Sequence, residues 1–201
     1  MSLRKFLVKQ FQKPKGAMGH IAGAIMATRE SNLKRSELTL SHMNIERHDT
    51  VCELGPGPGV LLGRMLEQCD NVIGVDHSPL MIDMSKNRNK RAFMEGRLRL
   101  YTADYTDLPD IRGVVKIVAV NSLQFDGLNP DTLNRLRDHL CEYGKLFVTQ
   151  QPRKPRQNSS DVERAGECIS AALREAEFSI EAVHRLPLEP VEGVCVIGVK
   201  S

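Results

Sequence analysis

At 201 residues, with 41% apolar and 26% charged side chains, 15 glycines, 10 prolines and 4% aromatics, the chain has a globular composition, outside the collagen-like and disordered ranges. It is long enough for one sizeable core without disulfide or metal staples, and short for two full domains. The 28 basic and 25 acidic residues leave a formal charge of +3, short of the concentrated basic footprint of a dedicated nucleic-acid binder, so no nucleic-acid partner is expected.

The N-terminal stretch carries Arg4, Lys5, Lys9, Lys13 and Lys15 before any acid, with Leu3, Phe6, Leu7 and Phe11 at helical spacing. It reads either as a docked surface helix or as a transit peptide or membrane-surface anchor. Ser31 to Arg47 is the stronger helix, through Leu33, Leu38, Leu40 and Met43. No apolar run approaches the roughly 18 residues of a membrane span. From Thr50 onward short apolar runs alternate with amphipathic patterns, the signature of βαβ units and a mostly parallel sheet. Strands are expected at Thr50 to Leu54, Val72 to Val75, Leu98 to Thr102, Val114 to Val120 and Lys145 to Gln150. Helices are expected at Gly59 to Cys69, at Pro79 to Lys90, from Asn129-Pro130 through Leu140, and from an Asp161 cap to about Glu177. Phe178 to Leu186 and Val194 to Lys200 complete the sheet as a hairpin, which makes the last strand antiparallel. Cys52, Cys69, Cys141, Cys168 and Cys195 lie far apart with no C-x-x-C pair, so no metal site is expected. They read as reduced, buried thiols, which points to a cytoplasmic location.

The chemistry concentrates at three strand ends. Glu53 precedes Gly55-x-Gly57-x-Gly59 and a helix, an arrangement that allows positive φ and close approach of a ligand. The third glycine comes one residue early for the dinucleotide fingerprint, and Glu53 would repel a pyrophosphate. A carboxylate there suits a ligand part with an ammonium group, as on an amino-acid-bearing nucleotide. Asp76 ends the second strand, where a carboxylate accepts both hydroxyls of a ribose. Asp104 ends the third, where it and the adjoining N–H can read an adenine edge. Each also has a purely structural reading: a tight turn for the glycines, a helix-start acid before Ser78-Pro79 for Asp76, a turn cap for Asp104. Met81 and Met84 read as core, with Met81 also placed to pack against adenine.

Glu53-x-Gly55-x-Gly57-x-Gly59, Asp76, Ala103-Asp104 and Tyr143-Gly144-Lys145 together resemble the class I S-adenosylmethionine-dependent methyltransferases, over almost the whole chain. The likeness is to the small-molecule branch similar to the ubiquinone and menaquinone biosynthesis enzymes. Ala119 to Phe125, Gln151 to Arg153, and the N-terminal Gln10-Phe11, Gly16 and Gly19 to Met26 resemble a compact group within it. The resemblance implies an α/β, Rossmann-like fold with a seven-stranded, mostly parallel sheet, its last strand antiparallel and helices on both faces. It implies an N-terminal helical lid over residues 1–49 and a cofactor-binding core over 50–201. S-adenosylmethionine would be the cofactor and S-adenosylhomocysteine the product. Glu53, Gly55, Gly57, Gly59, Asp76, His77, Met81, Asp104, Tyr105 and Asn121 would bind the cofactor. Met18, Ser122, Gln124, Phe125, Gln150 and Arg153 are the candidates for the acceptor side, and His20 and Asn121 the candidates for catalysis.

Two departures stand out. Val115 occupies a place where the family often has an acid, and no Asn-Pro-Pro-aromatic motif follows the fourth strand, so methylation of DNA bases is not implied. The expected activity is methyl transfer to a small organic acceptor, with positioning dominating. The alternative is a cofactor-binding or partner-activating protein without its own catalysis, and a nicotinamide oxidoreductase is a poorer reading. The acceptor side is closed by the N-terminal helices, left open, or completed by another subunit, as in a homodimer.

Overall fold

The computed structural model describes residues 28–105, 107–111, 113–123, 128–152 and 159–201. The basic N-terminal helix and the candidates Met18, His20, Gln124, Phe125 and Arg153 lie outside those residues. The described chain runs α1 (Glu30–Ser41), β1 (Thr50–Leu54), α2 (Val60–Leu66), β2 (Asn71–Asp76), α3 (Pro79–Arg88), α4 (Lys90–Met94), β3 (Leu98–Thr102), β4 (Val114–Val120), α5 (Pro130–His139), β5 (Leu140–Gln150), α6 (Ser159–Glu175), β6 (Phe178–Leu186) and β7 (Gly193–Lys200). One seven-stranded sheet has the order β3-β2-β1-β4-β5-β7-β6. β1 to β5 pair in parallel, and β7, lying between β5 and β6, is antiparallel to both.

The alternation of side chains along the central strands divides the core into two layers. Cys52, Leu54, Ile73, Val75, Ile117, Ala119, Leu146 and Val148 face one way and are covered by Leu133 and Leu136 of α5 and Val162, Ile169 and Leu173 of α6. Val51, Val72, Val118 and Phe147 face the other way, against Leu40 of α1, Leu61, Leu62 and Met65 of α2, and Ala92 of α4. Burial on both faces explains why these strands read as continuous apolar runs. A register shift between Ile180 and Ala182 lets β6 serve both layers. Phe178 and Ile180 join the first, Ala182 and Leu186 the second.

Several element ends differ from expectation. α1 stops at Ser41, because Asn44 takes a left-handed φ of 46° and turns the chain toward β1. The helix expected over Pro79 to Lys90 breaks into α3 and α4 at Asn89, whose φ of −110° and ψ of 31° are not helical. α5 is capped by Asn129, which accepts from Thr132 N–H at 2.9 Å, but Leu140 has left the helix with ψ 141° and begins β5. Tyr143-Gly144 therefore lies inside β5, where Tyr143 has φ 61° and the pairing with β4 jumps from Val114↔Leu140 to Lys116↔Lys145. Asp161 is in the first turn of α6, bonded to Arg164, rather than capping it. The helix ends at Glu175 ahead of a left-handed Glu177, φ 59°. Cys52, Cys69 and Cys195 are buried as expected, whereas Cys141 is half-buried and Cys168 is exposed.

At the opposite end of β4 from the candidate site, Lys116 and Asp49, each 8% exposed, form a buried ion pair. Asp49 also accepts from the Glu46 N–H at 2.8 Å, so the pair pins the entry to β1 against β4. Removing one partner strands the other charge. Lys116→Ala is expected to cost about 3 kcal/mol in urea unfolding, with much of it recovered in the Asp49→Asn, Lys116→Met double variant.

Candidate active site

The sheet order reverses between β1 and β4, since β2 and β3 extend from one side of β1 and β5 from the far side of β4. In open α/β sheets ligands bind in the crevice beyond the carboxyl ends of the strands at such a switch point. Glu53 and the glycine turn lie at that end of β1, Asp76 at that of β2, Asp104 just beyond β3 and Asn121 just beyond β4. The three acids read from the sequence thus end three neighbouring strands. Glu53 and Asp76 are buried, while Asp104 is exposed.

The glycine turn is held by its neighbours on all sides. Gly55, Gly57 and Gly59 have φ of 69°, 53° and 77°. Gly55 is the tightest position: a Cβ there would stand 2.7 Å from Ser122 Cβ and 2.9 Å from the Tyr105 hydroxyl. At Gly57 a Cβ would meet nothing within 4 Å among the described residues, so with respect to them this residue borders open space. α3 supports the turn through one polar face at i, i+3 and i+4. Ser85 Oγ donates to the Gly57 carbonyl at 2.8 Å, Arg88 Nε to that of Pro58 at 2.9 Å, and Asn89 Nδ2 to that of Gly59 at 2.9 Å. Sequence reasoning missed these three residues, whose only signal is their polar helical spacing in an otherwise mixed segment.

The amides of the turn are equally committed. Gly55 N–H donates to Val75 O at 2.8 Å, Gly57 N–H to Asp76 Oδ2 at 3.1 Å and Gly59 N–H to Pro56 O at 3.0 Å. Pro56 and Pro58 have no N–H to offer. A turn whose donors are all used is poorly suited to cradle a pyrophosphate, which removes the main support for a nicotinamide reading.

Asp76 accepts from Gly57 N–H and, through Oδ1, from Ser78 N–H at 2.9 Å, and His77 Nδ1 lies 3.7 Å from Oδ1. Burial raises its pKa, with the two amides and His77 working against that shift. Each oxygen keeps a lone pair for a ligand hydroxyl. Ser78, rather than Asp76, caps α3 by accepting from Met81 N–H at 3.4 Å, and Met81 is buried, 2% exposed. Tyr105 packs against the core with its hydroxyl toward Gly55 and Ser122; desolvation and then Asp76 hold its pKa above the ordinary phenol range.

Glu53 is only partly satisfied. It is 4% exposed and its Oε2 has no hydrogen-bond partner among the described residues. Burial, and then the negative charge of Asp76, push its pKa up to about 8, against a smaller opposing effect of the Leu62 amide. A buried carboxyl with an idle oxygen fits a ligand that brings a cation. The donor set therefore fits an amino-acid-bearing nucleoside: an acid for an ammonium group, an acid for ribose hydroxyls, and open space at Gly57.

On the β4 side, Asn121 has φ 54°, donates its backbone N–H to Thr149 O at 2.8 Å and accepts from Gln151 N–H through Oδ1 at 2.8 Å. Its Nδ2 is buried without a partner among the described residues. Ser122 lies beside the glycine turn. Gln150, a candidate for the acceptor side, ends β5 paired with Val194, and the next residue, Gln151, is buried.

With this geometry in view, residues 51–144 match the sequence profile of a family described as a methyltransferase domain. The likeness to a methyltransferase domain spans those residues, a little under half of the chain. A Bacillus subtilis (strain 168) protein named uncharacterized methyltransferase YdaC is 25% identical over 187 residues, spanning 90% of this chain and 98% of its own. Among solved structures, the Bradyrhizobium japonicum WM9 N-methyltransferase NodS with S-adenosyl-L-homocysteine is similar at TM-score 0.72, 13% identity, 98% of this chain and 97% of its own. A complex of the Haloferax volcanii Trm112 methyltransferase activator with a methyltransferase is similar at TM-score 0.74, 16% identity, 89% of this chain and 92% of its own. The fold is that of the S-adenosylmethionine-dependent methyltransferases, with the expected sheet.

The raised pKa of Glu53 has a sign that can be checked. Its folded-state value of about 8 lies above the ordinary 4.5, so the folded protein holds a proton that the unfolded chain has released. Ligand-free stability should therefore fall by about 1 kcal/mol per pH unit between pH 5 and 8. Glu53→Gln should flatten that dependence and raise the urea midpoint at pH 8.

Proposed function

We propose that this methyltransferase transfers a methyl group from S-adenosylmethionine to a small organic acceptor. The observation that carries the reading is the buried, half-unpartnered Glu53 beside a glycine turn with no amide to spare. When bound, S-adenosylmethionine supplies a sulfonium-borne methyl group open to in-line displacement. Glu53 would receive the ammonium of its amino-acid part, and in doing so would give up its proton. Asp76 would accept from the ribose hydroxyls, while Asp104 and the backbone beside it would meet the adenine edge. Met81 would floor that pocket.

On the acceptor side, Tyr105 stays protonated at neutral pH, and Asn121 and Ser122 are not bases. The described side chains thus orient reactants and exclude water rather than accept a proton, which suits a displacement with a good leaving group. A net charge of +3 supports a small acceptor over nucleic acid. Buried thiols at Cys52, Cys69 and Cys195 favour a reducing, cytoplasmic setting. Among the described residues no helix is long and apolar enough to cross a membrane.

Calorimetric titration with S-adenosylmethionine and S-adenosylhomocysteine, with NADH as control, followed by transfer of a labelled methyl group to an acceptor panel, tests the reading. Both sulfur compounds should bind and NADH should not; failure to bind either one sinks it. Because the ammonium requires an ionised Glu53, affinity for S-adenosylhomocysteine should rise with pH between about 6 and 8, by at most about tenfold per unit, with release of a proton. The slope should vanish in Glu53→Gln. Gly57→Arg, whose side chain would enter the open space, should abolish binding while costing about 1–2 kcal/mol of stability from the left-handed backbone.

A further inference from the structure

Arg35, on α1, is 5% exposed, and its guanidinium is held by polar groups on two sides. Nη1 donates to Gln151 Oε1 at 2.7 Å and Nη2 to Asn32 Oδ1 at 2.9 Å. Gln151, 3% exposed, is fully committed in turn: its Nε2 donates to the Val191 carbonyl at 2.8 Å and the Glu189 carbonyl at 3.2 Å. These bonds fix the amide in one sense, with the carbonyl toward Arg35 and the amino group toward the β6–β7 connection. The Gln151 backbone N–H then occupies Asn121 Oδ1. The Asn121 amide is thereby fixed as well, leaving its buried Nδ2 without a partner among the described residues.

That Nδ2 stands just past β4, and its side chain leans toward β5. The acids that fit the cofactor end β1 and β2 and follow β3, on the other side of the switch point. A donor on the β4–β5 side therefore faces the half of the crevice from which a methyl acceptor approaches. The left-handed backbone of Asn121, φ 54°, is a conformation asparagine tolerates better than most residues, and it aims the side chain there.

We propose that Arg35 is a positioning residue: through Gln151 it holds the Asn121 amide so that Nδ2 donates a hydrogen bond to a lone-pair oxygen or nitrogen of the methyl acceptor. The acceptor-side assignment rests on the cofactor reading above, whereas the Arg35–Gln151–Asn121 linkage stands without it. Thr39 Oγ1, 2.9 Å from Thr149 Oγ1, gives α1 a second tie to β5, so the helix can keep its place when Arg35 is changed.

The test uses the full chain labelled with nitrogen-15, in which the Asn121 side-chain NH2 pair is identified by its loss in Asn121→Asp. Arg35→Met should move and broaden that pair, Arg35→Lys should bring it back toward the wild-type position, and the milder Asn32→Ala should give part of the displacement. S-adenosylhomocysteine affinity should be unchanged in Arg35→Met, in contrast to its fall in Glu53→Gln. An Asn121 pair unmoved in both Arg35→Met and Asn32→Ala overturns the linkage. A parallel loss of S-adenosylhomocysteine affinity puts the amide on the cofactor half and overturns the acceptor assignment. Failure of the wild type to bind S-adenosylhomocysteine counts against the cofactor reading and leaves the linkage readable from the spectra alone.

Discussion

Two buried carboxyl groups at the ends of adjacent strands, Glu53 and Asp76, set the terms for everything around them. They are almost wholly withdrawn from water, so each must find donors within the protein or lose part of its hold on its charge. Asp76 takes the amides of Gly57 and Ser78, which draws the glycine turn over β2. Glu53 is left with an idle oxygen and a proton it would not hold in water. On the proposed reading, a cationic ligand group would relieve this unfavourable arrangement.

The turn between them can be rigid because it does not rely on its own residues. Its three consecutive carbonyls are gripped by Ser85, Arg88 and Asn89, and its amides close inward. With donors consumed and prolines at the intervening positions, what the turn presents to the crevice is shape rather than hydrogen bonds. On the proposed reading, recognition falls to the carboxyl groups beside it. This division of labour separates the site from phosphate-binding glycine loops of similar composition.

The parts of this arrangement visible in the sequence are those set by local pattern. β1 to β4 are short runs, and the ends of β1, β2 and β3 are marked by Glu53 and Gly55, by Asp76 and by Asp104. What was not visible depends on partners distant in the chain. The support of the turn by α3 spans about thirty residues, and the Lys116–Asp49 and Arg35–Gln151 contacts span far more. A lysine inside an apolar strand and an arginine on a helix carry no sign that they will be buried. The sequence pattern starts β5 at Lys145, because Tyr143-Gly144 has the composition of a turn, whereas the strand begins at Leu140 and absorbs it as an irregularity of the ladder.

The irregularity in β6 bears on a different property. This strand lies at an edge of the sheet, nine residues long, with Val183 51% exposed. A straight edge of that length would offer a template on which another chain could add a strand. The shift between Ile180 and Ala182 bends it, and Glu181 and Arg185 place charges along it, paired with Lys145 and with Glu163. The device that lets one strand feed two core layers also spoils its outer rim for pairing, so deleting a residue there would repair the ladder and invite self-association.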